Sequence, residues 1–162
     1  MLGCVRSFMF ITTHAVLGAL IAQQVPGNPF AAFVLGMASH FISDIIPHGD
    51  TNLYKDYVSG RRVKSSIAYV TIDGILTVLF VLFLFNLGLG DAKLAITMGI
   101  IGGVLPDFLV GIYEVFRVPG FHWFHRLHFF FHNMVSEQHD MTFASGFAMQ
   151  VMFLAGLLSL IV

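Results

Sequence analysis

Charged side chains are scarce in this sequence of 162 residues. They make up 10% of the chain, and hydrophobic residues make up 57%, whereas soluble proteins carry about 25% charged residues. Because so little polar surface cannot cover a compact globule in water, the composition predicts a protein whose solvent is a lipid bilayer. The net charge of −1 also excludes the broad basic surface that nucleic-acid binding requires, so no nucleic-acid partner is expected.

Cysteine is almost absent, since Cys4 is the sole one in the chain. A single cysteine excludes an intramolecular disulfide framework and any cysteine-rich zinc module. The chain has eight histidines, by contrast, which is many for so apolar a sequence. A metal site in this protein would therefore have to use imidazole and carboxylate ligands.

Five apolar segments are each long enough to cross a bilayer, which takes roughly 17–25 helical residues. Their apolar character is continuous, as from Ile75 to Phe85, which favours helices over the alternating strands of a barrel. The sequence thus predicts an all-α polytopic bundle that forms a single transmembrane domain over residues 1–162. The expected helices are at about 7–23, 30–46, 67–89, 94–116 and 141–162, with cytoplasmic loops at 47–66 and 117–140. The first segment has an alternative interpretation as a cleaved signal peptide, which the polar residues Thr12 to His14 disfavour.

The charges of the loops predict the orientation of the bundle. With five spans, Lys93 lies alone on one side and the other seven Lys and Arg residues lie on the opposite side. By the positive-inside rule the side with seven charges is cytoplasmic. The N-terminus and the His-rich loop are therefore expected inside the cell, with the protein in the inner membrane.

A short repeat relates two of the predicted spans. Gly36 and Gly99 are each followed, eight residues later, by an aspartate near the end of a span, Asp44 and Asp107 respectively. Both runs have the same predicted direction across the membrane, so a duplication would be a parallel repeat. Similarity at so few positions is equally compatible with chance.

Ionisable residues inside the spans are costly, at about 2.5–3.5 kcal/mol each near the bilayer centre, so each is a candidate functional residue. His40 and Asp44 are four residues apart, which places them on one helical face where both can bind one cation. The alternatives are hydrogen bonding between helices for this pair, an ion pair with a loop residue for Asp73, and a helix cap for Asp107. All intramembrane candidates fall in the predicted cytoplasmic half: His14, His40, Asp44, Asp73 and Asp107.

The predicted loops contain further candidates. Pro47 ends the second span and leaves His48 and Asp50 free to bend back over the site. A segment between Phe121 and Asn133 has Phe and Trp among its histidines, which indicates a helix in the membrane interface. These histidines are either metal ligands or only the polar face of that helix. The second interpretation has more weight for His128 than for the segment as a whole, and His139 is disfavoured as a ligand. The stripe on one helical face consists of His125, His128 and His132.

These residues resemble the motifs of a known family, the predicted membrane-bound metal-dependent hydrolases of the LexA-regulated inner-membrane type. The likeness covers most of the chain, and Asn133 stands where that family has a serine. His40 and Asp44 are also similar to the His-x3-Asp zinc motif of phospholipase C and P1-type nucleases, which implies phosphoester cleavage. The residues that carry the family resemblance are His14, Ser39-His40-x3-Asp44-x2-Pro47-His48, Gly102-Gly103-x2-Pro106-Asp107, and His125-Arg126 with a further His downstream.

Together, the residues and the resemblance predict a hydrolase that cleaves a phosphoester of a lipid or lipid-linked substrate at the cytoplasmic headgroup level. Asp50 or His48 would be the general base, and Arg126 would bind the anionic group of the substrate. The alternatives are a metal or proton transporter and a non-catalytic protein that a metal stabilises. The expected cofactor is a divalent metal, Zn or Mn, with ligands from His14, His40, Asp44, Asp73, Asp107, His125 and His132.

Overall fold

A computed structural model describes residues 10–46, 57, 59–86, 92–136 and 142–160 of the chain, and within these ranges all regular structure is helical. The all-α prediction is confirmed to that extent. A 3-10 turn at Pro119–Phe121 precedes the fifth helix. The helices are α1 (Ile11–Gln23), α2 (Pro29–Ser43), α3 (Val63–Asn86), α4 (Lys93–Phe116), α5 (His122–Ser136) and α6 (Phe143–Leu158).

The expectation of five spans is not confirmed. Of the described helices, two are long and apolar enough to cross a membrane, α3 and α4, with 24 residues each. The other helices have 13–16 residues, and α1, α2 and α6 are shorter than the predicted segments. Asn28 caps α2 by accepting a hydrogen bond from the amide of Ala31, and α2 ends at Ser43 instead of Ile46. Thr142 caps α6 in the same way through the amide of Ser145.

The predicted loop 117–140 also needs correction, because most of it forms α5. This helix packs against α2 and α4 and turns three of its four histidines inward, with His128 and His132 fully buried. Its opposite face exposes Trp123, Phe130 and Met134. An amphipathic helix with an apolar outer face is suited to the membrane interface, which is the location that the sequence predicts for this segment.

The surface of α3 is apolar over most of its circumference. Large exposed patches of this kind on water-soluble monomers are rare, and they mark surfaces that contact lipid or a partner. Together with the length of α3, this surface fits a helix that faces lipid. The exposed residues include Ile67, Val70, Ile72, Ile75, Leu76, Val78, Leu79 and Leu82.

Glycines bring α1, α2 and α4 into backbone contact at one crossing point. A Cβ atom on Gly36 would lie 2.3 Å from the carbonyl oxygen of Gly99, and one on Gly99 would lie 2.4 Å from that of Gly18. Small residues at such positions allow helices in membranes to pack closely. One turn further along α4, Gly103 contacts His14 of α1 and the ring of His40 of α2. Helix α4 is therefore parallel to α2 and antiparallel to α1.

The glycine crossing separates an apolar half of the bundle from a polar half. On one side the three helices bury small and aliphatic residues, among them Ala19, Ala22, Ala32, Ala95 and Ile96. On the other side, each helix presents ionisable residues one or two turns from its glycine. The backbone contact at the crossing thus fixes the distance between these polar residues.

Candidate metal centre

Six histidine and aspartate side chains from four helices converge in the polar half of the bundle. We call them the His/Asp cluster: His14 of α1, His40 and Asp44 of α2 and its C-cap, Asp107 of α4, and His128 and His132 of α5. They form three overlapping groups in which all candidate ligand atoms lie within 4.8 Å of one another. Five of the six residues are buried, and the side chain of Asp107 is 9% exposed.

Asp44 is at the centre of the cluster. Its Oδ1 atom lies 3.1 Å from Nε2 of His14, and its Oδ2 atom lies 3.0 Å from Nε2 of both His40 and His132. Two ligands of a tetrahedral zinc ion, each at about 2.1 Å from the metal, are about 3.4 Å apart. The spacing of these donor atoms is therefore close to that of ligands around one cation.

Asp107 approaches the same histidines from α4 at somewhat longer distances. Its Oδ1 atom lies 3.6 Å from Nε2 of His128 and 3.8 Å from Nε2 of His40. Its Oδ2 atom lies 4.0 Å from Nε2 of His14. The cluster is thus looser, and slightly exposed, on the side of Asp107.

The second ring nitrogens of two histidines orient their Nε2 atoms toward Asp44. Nδ1 of His40 lies 2.7 Å from the carbonyl oxygen of Gly103, to which it donates. Nδ1 of His14 lies 3.2 Å from the hydroxyl of Ser43, and the same hydroxyl donates to the carbonyl of Ser39 or His40. In a neutral ring with its proton on Nδ1, Nε2 carries the lone pair that a metal requires. Metal-binding histidines are oriented by such bonds to a carbonyl or hydroxyl.

In that form of each ring, Nε2 faces a carboxylate oxygen of Asp44, and a cation between the two atoms would be favourable. Neither Asp44 nor Asp107 forms an ion pair with a Lys or Arg within the described ranges. In the same ranges, both oxygens of Asp44 and Nε2 of His14 and His128 have no hydrogen-bond partner. Burial of carboxylates without a compensating positive charge costs several kcal/mol, and a divalent cation would offset that cost.

His128 belongs to α5, where its ring is completely buried. This burial lowers the pKa of His128 well below its usual range, because the charged imidazolium loses its hydration. The ring is therefore neutral near pH 7 and can offer a lone pair to a metal.

Asp73 lies outside the cluster. Its carboxylate accepts hydrogen bonds from the backbone amides of Ile11 at 2.6 Å and Thr12 at 3.2 Å, and from the hydroxyl of Thr12 at 2.7 Å. Phe10, the N-cap residue of α1, has no side chain that could accept these bonds. Asp73 of α3 therefore caps α1 from a neighbouring helix, and its negative charge interacts favourably with the helix dipole.

His125 also lies outside the cluster, although it belongs to the same stripe as His128 and His132. Its Nε2 atom lies 2.7 Å from Oε1 of Glu114, and Oε2 of Glu114 lies 2.8 Å from Nη2 of Arg117. Arg126 is exposed on α5. The remaining predicted residues, His48 and Asp50, and the disfavoured ligand His139 lie outside the described residues.

His128 is the cluster member that the sequence-based ligand set omitted. The signal that could have found it is its spacing of four residues from His132, the same as between His40 and Asp44. Two donors at that spacing share one helical face, and they reach the cluster together from α5. Glu114, the partner of His125, was omitted too, and no sequence motif marks it.

No family model, curated protein or solved structure matches this chain. The case for a metal centre therefore depends on geometry: the burial of the six side chains, the spacing of their donor atoms and the orientation of the rings. By these criteria the buried His and Asp groups can hold a metal ion.

Proposed function

We propose that this chain is a membrane-embedded metal-dependent hydrolase that cleaves a phosphoester of a lipid or lipid-linked substrate at the cytoplasmic headgroup level of the inner membrane. The observation that carries the proposal is the buried His/Asp cluster, which has two carboxylates and no Lys or Arg paired with them in the described ranges. The resemblance of its motifs to those of membrane-bound metal-dependent hydrolases supports the same conclusion.

The donor set favours zinc, with manganese as the second choice. Imidazole suits zinc, carboxylate suits both ions, and the cluster contains no thiolate. Six donors exceed the four that zinc usually takes, and the two oxygens of Asp44 face different histidines. This arrangement would suit two cations that share Asp44. A bound cation would lower the pKa of a water ligand toward about 7 and polarise a phosphoryl oxygen.

Asp107 marks the side from which water and substrate would approach. Its carboxylate is the least buried member of the cluster, and its distances to the histidines, 3.6–4.0 Å, leave more room than those around Asp44. In the reaction, the water oxygen forms a bond to phosphorus, the ester P–O bond breaks, and the proton from water ends on the released alcohol. The candidate base is His48 or Asp50, and Arg126 is the candidate ligand for the phosphate oxygens.

The proposal includes five membrane crossings with the cluster near the cytoplasmic surface. Two crossings would be α3 and α4, which are long and apolar enough to span a membrane, and the short helices α1, α2 and α6 would complete the bundle. The charge asymmetry of the loops supports this orientation. Single cysteines at Ser59 and Ala92, in a Cys4→Ser background, test it. We expect an impermeant thiol reagent to label position 92 in intact cells and position 59 only after lysis, and the reverse pattern would contradict the topology.

A transporter has less support than a hydrolase. Transport requires polar groups along the whole crossing, whereas beyond the glycine crossing the described core consists of apolar residues. A metal that only braces the fold is the more serious competitor, because the ligands come from four helices. A structural site and a catalytic site differ in whether a coordination position is open to water, so activity has to distinguish the two.

The hydrolase proposal is tested with purified protein in nanodiscs that contain zinc or manganese. Phosphate release is measured from phosphatidic acid and from p-nitrophenyl phosphate, with wild type, His128→Ala and His122→Ala. His122 is a matched control, since it lies on α5 and its ring bonds Tyr113 outside the cluster. We expect His128→Ala to lose activity by more than about 100-fold, beyond the 10–100-fold typical of outer-shell changes, and His122→Ala to stay near wild type. Metal-loaded wild type that hydrolyses neither ester would favour the bracing role.

A further inference from the structure

A groove with a volume of about 290 Å³ lies between α3 and α4, outside the His/Asp cluster but in contact with it. Its walls are mainly apolar, with Ile67 and Val70 on α3 and Val110 and Val115 on α4. From Asp107 to Val115 the groove follows α4 for eight residues, which is about 12 Å at 1.5 Å per residue. Such dimensions suit a narrow, elongated ligand.

The groove is continuous with the apolar surface of the bundle. Ile67, Val70 and Val115 belong to its walls, and their side chains are 54%, 52% and 68% exposed, respectively. All three lie on helices long and apolar enough to cross a membrane. A molecule could therefore pass from the bilayer into the groove without crossing a polar surface.

Asp107 connects the groove to the cluster. It lines the groove, and its Oδ1 atom lies 3.6 Å from Nε2 of His128. The two other acidic residues of the groove have partners elsewhere, because Asp73 caps α1 and Glu114 binds His125 and Arg117. Of the three acids, Asp107 is thus the one that faces a candidate cation, and a cation there would attract an anionic group.

From this combination we propose that the groove binds one apolar chain of a membrane phospholipid whose phosphate reaches the Asp107 end. The proposal rests on the function proposed above, and it adds the location and chemical class of the substrate site. The apolar walls contact the methylene groups next to the headgroup, and the metal-loaded cluster neutralises the phosphate. Contact of two methylenes with the walls accounts for about tenfold in affinity, at about 0.8 kcal/mol each.

Gly111 offers a way to close the groove without disturbing the cluster. It lines the groove, and a Cβ atom built on it meets nothing within 4 Å, so Gly111→Trp can fill the space without a backbone clash. Gly156 of α6 is equally open and is not part of the groove. Gly156→Trp is therefore the matched control, and Ile67→Trp closes the groove from the opposite wall.

The experiment uses the full chain in phosphatidylcholine nanodiscs that contain a trace of phosphatidic acid with a diazirine in one acyl chain. We expect photolabelling of the α3 and α4 segments to fall at least about tenfold in Gly111→Trp and Ile67→Trp relative to wild type and Gly156→Trp. Excess unlabelled phosphatidic acid should compete in wild type, and the metal content should be equal in all four proteins. Labelling that neither groove variant lowers, or that unlabelled phosphatidic acid does not reduce, would overturn the proposal.

Hydrolysis assays on the same samples separate this inference from the proposed function. We expect Gly111→Trp to lose hydrolysis of phosphatidic acid and to retain hydrolysis of p-nitrophenyl phosphate, which has no chain to place in the groove. Equal loss for both substrates with the metal retained would contradict a chain-binding role. If wild type hydrolyses neither substrate while the groove variants still block labelling, the lipid site stands and the hydrolase proposal fails.

Discussion

At the scale of single residues, the clearest contrast is between two buried aspartates that the sequence analysis predicts as metal ligands. Asp44 lies within about 3 Å of Nε2 of three histidines, whereas Asp73 accepts backbone amides at the start of α1. Both residues are costly to bury, and the sequence correctly marks both as special. It does not separate them, because the partner of each is on another helix and no local pattern encodes that contact.

The contrast between the two aspartates can be measured directly. We expect Asp44→Asn to lose bound metal, because the amide removes the carboxylate at the centre of the cluster. Asp73→Asn should keep its metal and lower the free energy of unfolding by about 0.5–2 kcal/mol, as for loss of a helix cap. Metal analysis and thermal unfolding in detergent check both variants, and loss of metal from Asp73→Asn as complete as that from Asp44→Asn would contradict the assignment of Asp73 as a cap.

At the scale of helices, the repeat of Gly36 and Gly99 was informative for a reason that the sequence alone does not supply. The two glycines meet at one crossing between parallel helices, so the aspartates eight residues later are at the same level and approach the same histidines. The sequence also indicated the helical stripe in α5. It did not show which histidines of the stripe face the cluster. His125 contacts Glu114 of α4 instead, and no sequence motif marks that glutamate.

The glycine crossing predicts that substitution of glycine by alanine has different effects on stability at two sites. Gly36→Ala places a methyl group 2.3 Å from the carbonyl oxygen of Gly99, so α2 and α4 must separate, at a cost of about 1–3 kcal/mol. Gly156→Ala meets open space and should be neutral or stabilising by about 0.5–1 kcal/mol through helix propensity. Thermal unfolding compares the two variants, and Gly36→Ala should also bind metal more weakly. Equal stability and metal content in both would show that the crossing does not position the ligands.

At the scale of the whole molecule, the cluster joins four of the six described helices through a small set of side chains. Without a cation, its two carboxylates lie close together in a buried site. Binding of a metal by the folded chain should therefore stabilise the bundle. Composition predicted the membrane setting and the all-α class, but the number of crossings depends on where helices start and stop. Differences from the apolar segments reach three or four residues, as where α1 begins at Ile11 and where α2 and α6 end at Ser43 and Leu158.

Metal removal tests the coupling between the cluster and the fold. We expect a chelator to lower the Tm of wild type, because the bound metal stabilises the folded state. Metal present at 100 times its Kd contributes about 2.7 kcal/mol to the free energy of unfolding, and the chelator removes this contribution. Zinc or manganese added back should restore the original Tm. The Tm of Asp44→Asn should not respond to chelator. An identical response of wild type and Asp44→Asn would mean that the chelator acts elsewhere.

The central claim is that the His/Asp cluster binds a divalent cation, and metal content per chain is the most direct test of it. Wild type and the double variant Asp44→Asn/Asp107→Asn are purified in mild detergent, incubated with zinc or manganese and desalted, and the bound metal is then quantified by mass spectrometry. We expect at least one cation per wild-type chain and none in the double variant. A folded, monodisperse wild type that retains no more metal than the double variant would contradict the claim.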